Sequence, residues 1–352
     1  MGKLISKGAK GMQIQTEQYI KIEDIKFKPM GREYIENKGK DDACVILEMA
    51  SRGIVFNANF MGDLQLDVSA REIEHKYFTV VIDGVENNEF KIALSKPNNR
   101  ELITVAKDIE PGNHTIEIYT QTENGPISIY GVKICGKILE KPKNKDLYIE
   151  FIGDSITSGC ANLVSVQSVA GLRHGNAYMA YGSQTARLLN ADWCNVAISG
   201  GTLVNSNGER AHMPTEYLKT TTCKKEFFDF KKARKPDIVV INLGTNDNGF
   251  IKNRPDKEYY IKVLIEEFAK TVIEKYSKQV KIVFAFGMMT GSVHYINDCY
   301  IEVAKKLMAE GYNAWFCLLP QNQEGGAGHP NVEGHTAASK VLSNFISDNV
   351  LK

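Results

Sequence analysis

The spacing of apolar and polar residues changes once along the chain, close to residue 145. Before that point, short apolar runs are separated by turn residues, and several runs alternate apolar and polar positions, as strands with one buried face do. No long stretch keeps the period of a helix. We therefore predict an N-terminal β-sandwich of jelly-roll type, built from the runs CVILEMA, RGIVFNANF, LQLDVSA, YFTVVIDG, FKIALS, HTIEIYTQ and ISIYGVKI.

In residues 146–352, apolar runs of strand length alternate with amphipathic helical stripes. This alternation predicts a parallel sheet covered by helices on both faces, a three-layer α/β/α domain. The charged, proline-bearing segment EKPKNK separates the two patterns, so we place the boundary between domains 1–145 and 146–352 at its end. The predicted strands of the second domain are Leu147 to Ile152, Trp193 to Ile198, Asp237 to Leu243, Ile282 to Phe286 and Ala314 to Leu319.

Composition narrows the classes of partner. The 352 residues carry 43 basic and 42 acidic side chains, a net charge of +1, and the lysines are scattered. This balance gives no reason to expect binding to nucleic acid or to an anionic membrane. The seven cysteines have no metal-like spacing, and no apolar segment of signal-peptide length opens the chain. We therefore expect reduced thiols, no metal or organic cofactor, a cytoplasmic location and a neutral or small ligand.

Four polar or glycine-rich segments follow predicted strands. Ser155 lies in FIGDSITSG, Gly200 in NVAISGGT, Asn246 in NLGTNDNG and His329 in GGAGHPNVEGH. Gly-Asp-Ser alone is ordinary turn chemistry. Ligands of open α/β sheets bind outside the carboxyl ends of the strands, however, so the four segments are expected to meet at one edge.

Together these residues could supply acyl transfer, which needs a nucleophile, a base and donors aimed at the oxyanion. Ser155 would attack, and His329 would act first as base and then as acid. The oxyanion hole would consist of the Ser155 and Gly200 backbone N–H groups and the Asn246 side-chain amide. Asp154 would brace the loop that carries the nucleophile.

In order and wording, the four segments resemble the SGNH, or GDSL, hydrolase superfamily. Combined with a preceding β domain, they look like the two-domain carbohydrate esterase family 2, whose members deacetylate plant polysaccharides. The resemblance implies a serine esterase that removes O-acetyl groups from carbohydrates such as xylo-oligosaccharides. Two other functions stay open: a lysophospholipase or thioesterase, and a carbohydrate-binding protein with a non-catalytic hydrolase domain.

One position departs from the superfamily pattern. An aspartate usually stands three residues before the histidine and holds it in the productive tautomer, but Gly326 occupies that position here. Some family 2 esterases are similar in working with a serine and histidine pair. We expect a main-chain carbonyl to orient His329, with Glu324 as the alternative. His335 is predicted to be structural, and His174, Tyr178 and His294 are weaker candidates for lining a pocket.

Overall fold

The structure of the protein is a computed structural model. It describes residues 16–71, 77–91, 96–123, 125–165, 174–221, 226–289, 291 and 294–352. The predicted run FKIALS ends at 92–95, outside these residues.

Antiparallel strands form the N-terminal part. The pairing order is β3-β4-β9-β5-β8-β6-β7, with β1 added beside β9 and β2 beside β5. The strands are β1 (Glu17–Lys21), β2 (Lys28–Met30), β3 (Ile35–Glu36), β4 (Cys44–Leu47), β5 (Gly53–Ala70), β6 (Tyr77–Ile82), β7 (Val85–Lys91), β8 (Glu101–Thr120) and β9 (Ile127–Ile138).

Two strands of this sheet, β5 and β8, are 18 and 20 residues long. Their pairing shifts register between Phe60 and Gln65, and such bulges bend a strand and increase its twist. Apolar side chains from most parts of the sheet, including Phe56, Leu66 and Val132, share one buried core. The sequence pattern had suggested two separate strands for β5 and none for 101–113, because turn-forming residues interrupt the alternation in both places.

The C-terminal part alternates strands and helices. Its elements are β10 (Tyr148–Gly153), α1 (Tyr181–Leu188), β11 (Asp192–Ala197), α2 (Met213–Glu216), β12 (Ile238–Asn242), α3 (Asn248–Ile251), α4 (Lys257–Tyr276), β13 (Lys281–Phe286), α5 (Tyr295–Ala309), β14 (Asn313–Leu318) and α6 (Val332–Phe345). All strand pairs in this sheet are parallel, in the order β11-β10-β12-β13-β14.

Helices cover both faces of the parallel sheet. Phe268 of α4 and Tyr300 of α5 belong to the apolar core on one face, whereas Tyr181 of α1 and Leu342 of α6 belong to the core on the other. The predicted fold class, an N-terminal β-sandwich of jelly-roll type followed by a three-layer α/β/α domain, is therefore confirmed, and its N-terminal strands are antiparallel. The predicted boundary at residue 145 lies between β9 and β10 and stays a prediction.

The two parts of the chain share a buried interface. The ring of Tyr119 stacks on Trp193 of β11 with centroids 5.1 Å apart. Arg32 of the β domain pairs with Glu150 of β10 at 3.2 Å, and both side chains are almost fully buried. The interface thus contains apolar packing and a buried charge pair.

None of the helices within the described ranges has the length and apolar character needed to span a bilayer.

Candidate active site

The order of the parallel sheet determines where the candidate residues meet. Strand β10 lies between β11 and β12, and the chain moves outward in opposite directions from it. Such a reversal of strand order opens a crevice at the carboxyl edge. Ser155 follows β10, Gly200 follows β11 and Asn246 follows β12, so the sheet carries all three to this crevice.

His329 contacts Ser155 directly. Its Nε2 lies 2.9 Å from Ser155 Oγ, and its Nδ1 lies 3.1 Å from the carbonyl oxygen of Gly326. Since a carbonyl only accepts hydrogen bonds, the Nδ1 proton faces Gly326, and Nε2 is left to accept the Ser155 hydroxyl proton. Burial lowers the pKa of His329 below its ordinary 6.5, although the Gly326 carbonyl opposes this effect. The imidazole is therefore neutral at neutral pH.

The turn before His329 has no room for the usual aspartate. A Cβ at Gly326 would lie 2.6 Å from Val164 Cγ2 and 3.0 Å from Ala161 Cβ. The Gly326 N–H also donates to the Ala161 carbonyl at 3.0 Å. The turn therefore packs tightly against the loop that follows the nucleophile, and Gly326 presents its carbonyl to His329 at the position where the resemblance implies an aspartate.

Glu324 does not contact His329. Its side chain is exposed and accepts a hydrogen bond from Asn331 Nδ2 at 3.3 Å. Asn331 in turn caps the N-terminus of α6, where its Oδ1 accepts from the Gly334 N–H. The geometry favours the main-chain carbonyl over Glu324 as the group that orients the imidazole.

The backbone N–H groups of Ser155 and Gly200 follow the neighbouring strands β10 and β11. The Gly201 N–H donates to the Ile198 carbonyl at 2.9 Å, and Gly200 has φ of 76°, as position i+2 of a type II turn requires. Within the described residues, neither the Ser155 nor the Gly200 N–H donates to a protein acceptor. Both groups are available for an oxyanion.

Asn246 lies at the same edge, but its amide is engaged. Its Nδ2 donates to Asp154 Oδ2 and to the Gly201 carbonyl, both at 3.1 Å. An oxyanion would therefore have to share or displace one of these acceptors. The structure places Asn246 between the loop of Asp154 and the turn that carries Gly200.

Asp154 stabilises the loop that carries the nucleophile. It is fully buried, and its Oδ1 accepts from the Ile156 N–H at 3.0 Å. Burial is the main cause that raises the pKa of Asp154 to about 7, and the carboxylates of Asp247 and Glu123 raise it further. Asp154, the residue before Ser155, also accepts a hydrogen bond from the Asn246 amide.

Asp247 links two of the loops. Its Oδ1 accepts from the backbone N–H groups of Leu203 and Val204 at 2.8 and 2.7 Å. Burial raises its pKa to about 6 despite these bonds. The residue after Asn246 thus fixes the chain that follows Gly201, a role that extends beyond its own turn.

Among the remaining histidine and tyrosine candidates, His335 and Tyr178 belong to packed regions of the fold. His335 is buried in the α1–α6 interface, where its Nδ1 accepts from the Tyr181 N–H at 3.1 Å. Tyr178 packs beside Trp193 in the interface between the domains. His294 is exposed just before α5, and the His174 carbonyl accepts from the Leu163 N–H.

The sequence patterns did not identify two charged residues that lie near the crevice. Glu123, in the turn between β8 and β9, accepts a hydrogen bond from the Ser199 N–H with both carboxylate oxygens at 3.0 Å. The exposed Arg210 folds back so that its Nη1 lies 2.8 Å from the position of a Cβ on Gly200. In the sequence, the segment TENGP around Glu123 indicates only a turn. Neither Glu123 nor Arg210 is next to one of the four segments that carry the resemblance, so no sequence pattern pointed to them.

Other features do not point to chemistry at this edge. No cluster of three or more His, Cys, Asp or Glu side chains suited to a metal occurs in the described ranges. A cleft of about 580 Å³ between the domains is lined by Lys28, Tyr148 and Asp192, at the opposite end of the parallel sheet from Ser155. The candidate active site is therefore at the carboxyl edge of the sheet, where Ser155 and His329 meet.

A serine hydroxyl in contact with a neutral imidazole, next to two available N–H donors at the edge of a parallel sheet, is the arrangement of a serine hydrolase. The chain belongs to the GDSL-like Lipase/Acylhydrolase family, whose profile matches residues 151–337, more than half of the chain. Residues 42–142 match the Carbohydrate esterase 2 N-terminal family.

Similar proteins carry related names. The chain is 28% identical over 302 residues to the Cellulase/esterase CelE of Acetivibrio thermocellus, covering 81% of this chain and 35% of that protein. It is 24% identical over 274 residues to an Acetylxylan esterase / glucomannan deacetylase of Cellvibrio japonicus, covering 74% of each chain. The chain thus spans about a third of the length of the first relative.

Solved structures share the fold. A family two carbohydrate esterase from Clostridium thermocellum, in complex with cellohexaose, superposes with a TM-score of 0.81 at 23% identity, covering 92% of this chain and 99% of that one. A family two carbohydrate esterase from Cellvibrio japonicus superposes with a TM-score of 0.80 at 21% identity, covering 94% and 97%. Both domains of this chain are therefore present in these structures.

Proposed function

We propose that this protein is a serine esterase that removes O-acetyl groups from carbohydrates, with Ser155 and His329 as a catalytic dyad. The contact between Ser155 Oγ and His329 Nε2 at 2.9 Å carries the proposal. The names of the relatives support acetylated carbohydrate as the substrate class.

The reaction proceeds in two halves. Ser155 Oγ attacks the acetyl carbonyl carbon while its proton passes to His329 Nε2. The carbonyl oxygen becomes negative and accepts hydrogen bonds from the Ser155 and Gly200 N–H groups, with the Asn246 amide as the third donor. His329 then protonates the departing sugar oxygen, and an acetyl-enzyme forms.

Deacylation repeats these steps with water. A water molecule gives a proton to His329 and attacks the acetyl carbon, and the collapse of the second tetrahedral intermediate returns the proton to Ser155 and releases acetate. Throughout, the Gly326 carbonyl keeps the Nδ1 proton in place and stabilises the imidazolium. Because a carbonyl carries no full charge, this stabilisation is weaker than that from an aspartate.

A substrate panel tests the proposal against the alternatives. The purified chain is incubated with 4-nitrophenyl acetate, butyrate and octanoate and with an acetylated xylo-oligosaccharide. We expect hydrolysis of the acetate and release of acetic acid from the sugar, with rates that fall steeply as the acyl chain lengthens. A preference for octanoate would instead support a lipid or thioester substrate.

Binding without turnover is the third outcome of the panel. If no ester is hydrolysed while calorimetry detects binding of a xylo- or cello-oligosaccharide, the protein is a carbohydrate-binding protein and the esterase proposal is wrong.

A further inference from the structure

The segment that follows β8 brings the β domain to the candidate active site. Residues 121–123, the start of the loop that follows β8, are held against the hydrolase domain by hydrogen bonds. The Gln121 carbonyl accepts from the Ala177 N–H at 2.8 Å, and the Glu123 carboxylate accepts from the Ser199 N–H. The loop thus lies between the segment before α1 and the turn after β11.

The bond made by Glu123 is well placed to affect catalysis. Ser199 is position i+1 of the turn whose next residue, Gly200, offers a backbone N–H to the oxyanion hole. With both carboxylate oxygens at 3.0 Å, the Ser199 N–H is restrained, and with it the peptide plane that enters the turn. Charge-assisted bonds of this kind are stronger than neutral ones.

A second path links the same turn to the nucleophile. Ser199 Oγ lies 3.4 Å from Ser158 Oγ, and Ser158 Oγ donates to the Ser155 carbonyl at 3.2 Å. Glu123 therefore restrains a short network that ends on the residues carrying both backbone donors. Its carboxylate is mostly buried, and desolvation raises its pKa, so the protein tolerates a costly group here.

We propose that Glu123 of the β domain is a positioning residue that holds the Ser199–Gly200 turn in the geometry needed to bind the oxyanion. The N-terminal domain would then complete the active site. This inference rests on the esterase function proposed above. It predicts that Glu123 acts on the transition state and has little effect on the binding of substrate.

Three variants test the inference with 4-nitrophenyl acetate. Glu123→Ala removes the acceptor, Glu123→Gln keeps one acceptor oxygen at the same distance along the side chain, and Lys28→Met is the control. Lys28 pairs with Asp192 at 2.7 Å across the domain interface, close to the amino end of β11 and remote from Ser155. Its loss weakens the interface without touching the turn.

A boronic acid supplies a readout of the oxyanion hole. The boron of phenylboronic acid accepts the electron pair of Ser155 Oγ as the hydroxyl proton passes to His329, which gives a tetrahedral anion like the intermediate. Such analogues report transition-state binding. We expect Glu123→Ala to lower kcat/KM by about ten- to hundredfold, since small misplacements of catalytic groups cost about this much. The Ki of the boronic acid should rise by a similar factor, with KM nearly unchanged.

The other variants should behave differently. Glu123→Gln should keep kcat/KM within about threefold of wild type, because its neutral side-chain oxygen can still accept the hydrogen bond from the Ser199 N–H. Lys28→Met should lower the melting temperature and leave kcat/KM and Ki unchanged. If Glu123→Ala matches wild type, or loses rate with no change in the boronic acid Ki, the positioning role is wrong. Wild-type protein without any esterase activity would instead refute the proposed function itself.

Discussion

His329 is oriented by the main-chain carbonyl of Gly326, the residue that stands where the resemblance to the SGNH superfamily implies an aspartate. The Gly326 carbonyl accepts from both the backbone N–H and the Nδ1 of His329, each at 3.1 Å. A carbonyl fixes the tautomer as well as a carboxylate does, but it attracts the protonated ring less. The pKa of His329 should therefore be lower than it would be beside a carboxylate.

We predict that His329 titrates below its ordinary pKa of 6.5 in the free enzyme, because burial disfavours the charged ring. Titration of ¹⁵N-labelled histidine by NMR, with His329→Gln to assign the signal, measures this directly. Activity should fall as pH drops through the midpoint, since the protonated ring cannot accept the Ser155 proton. Protonation also disfavours the folded state, so stability falls as pH decreases below 6.5. A midpoint above 6.5 would indicate a carboxylate partner.

The kcat/KM values of variants in this turn also test whether a carbonyl or a carboxylate orients His329. We predict that Glu324→Gln changes kcat/KM by less than about tenfold, because Glu324 contacts Asn331 and not the imidazole. Gly326→Asp restores the family pattern in sequence but should lower activity, since its Cβ would overlap Val164 and Ala161.

Ala327→Asp is the matched control for Gly326→Asp, because Ala327 is exposed and aspartate tolerates its φ of 53°. A Gly326→Asp enzyme faster than wild type would contradict this account of the turn. A loss of about 10³-fold in folded Glu324→Gln would do so as well, because it would reveal a displaced triad carboxylate.

At the scale of elements, three loops at the ends of neighbouring strands are joined by buried carboxylates. Asp154 connects the loop after β10 to Asn246, which also bonds the Gly201 carbonyl. Asp247 connects the loop after β12 to the backbone of Leu203 and Val204. The loops therefore hold one another in place.

Asn246→Ala tests this connection and the third oxyanion donor together. We predict a folded enzyme with kcat reduced by up to about 10²- to 10³-fold, the usual cost of losing one such donor, while the two backbone donors sustain measurable turnover. Stopped-flow or steady-state rates with 4-nitrophenyl acetate provide the measurement. If the variant's rates equal those of wild type, Asn246 is not an oxyanion donor.

Much of this arrangement could be predicted from the sequence because it is local. Ser155, Gly200 and Asn246 each follow a short apolar strand, and parallel strands bring their carboxyl ends together by topology alone. The role of Gly326 was less accessible. Its missing side chain is visible in the sequence, but which carbonyl would face the imidazole depends on a turn in which Ala327 and Gly328 have positive φ.

At the scale of the whole molecule, the β domain packs firmly on the hydrolase domain. Arg32 is almost fully buried and pairs with Glu150, and it also donates to the Lys219 carbonyl at 2.7 Å. The sequence did not suggest this pair, nor the bond from Glu123 to Ser199, because contacts between domains leave no periodic signal in either one. Predicting them requires the relative placement of the two folds.

Arg32→Leu should reduce the free energy of unfolding by about 3–5 kcal/mol, because it leaves the Glu150 carboxylate buried without its cation. Denaturation in urea measures the loss. Lys262→Met is the control: it removes the exposed Lys262–Glu302 pair, 2.7 Å long, and should cost less than about 1 kcal/mol. An Arg32→Leu protein as stable as this control would show that the interface pair is not important for stability.

Ser155→Ala tests whether Ser155 is the nucleophile of an acetyl esterase. Ser155 follows a strand end and its hydroxyl contacts His329, so we expect the variant to fold like wild type by circular dichroism. We predict that release of acetate from an acetylated xylo-oligosaccharide falls by about 10⁴-fold or more, as the loss of a nucleophile causes in serine hydrolases. A folded Ser155→Ala protein that still releases acetate at a rate close to wild type would contradict the account.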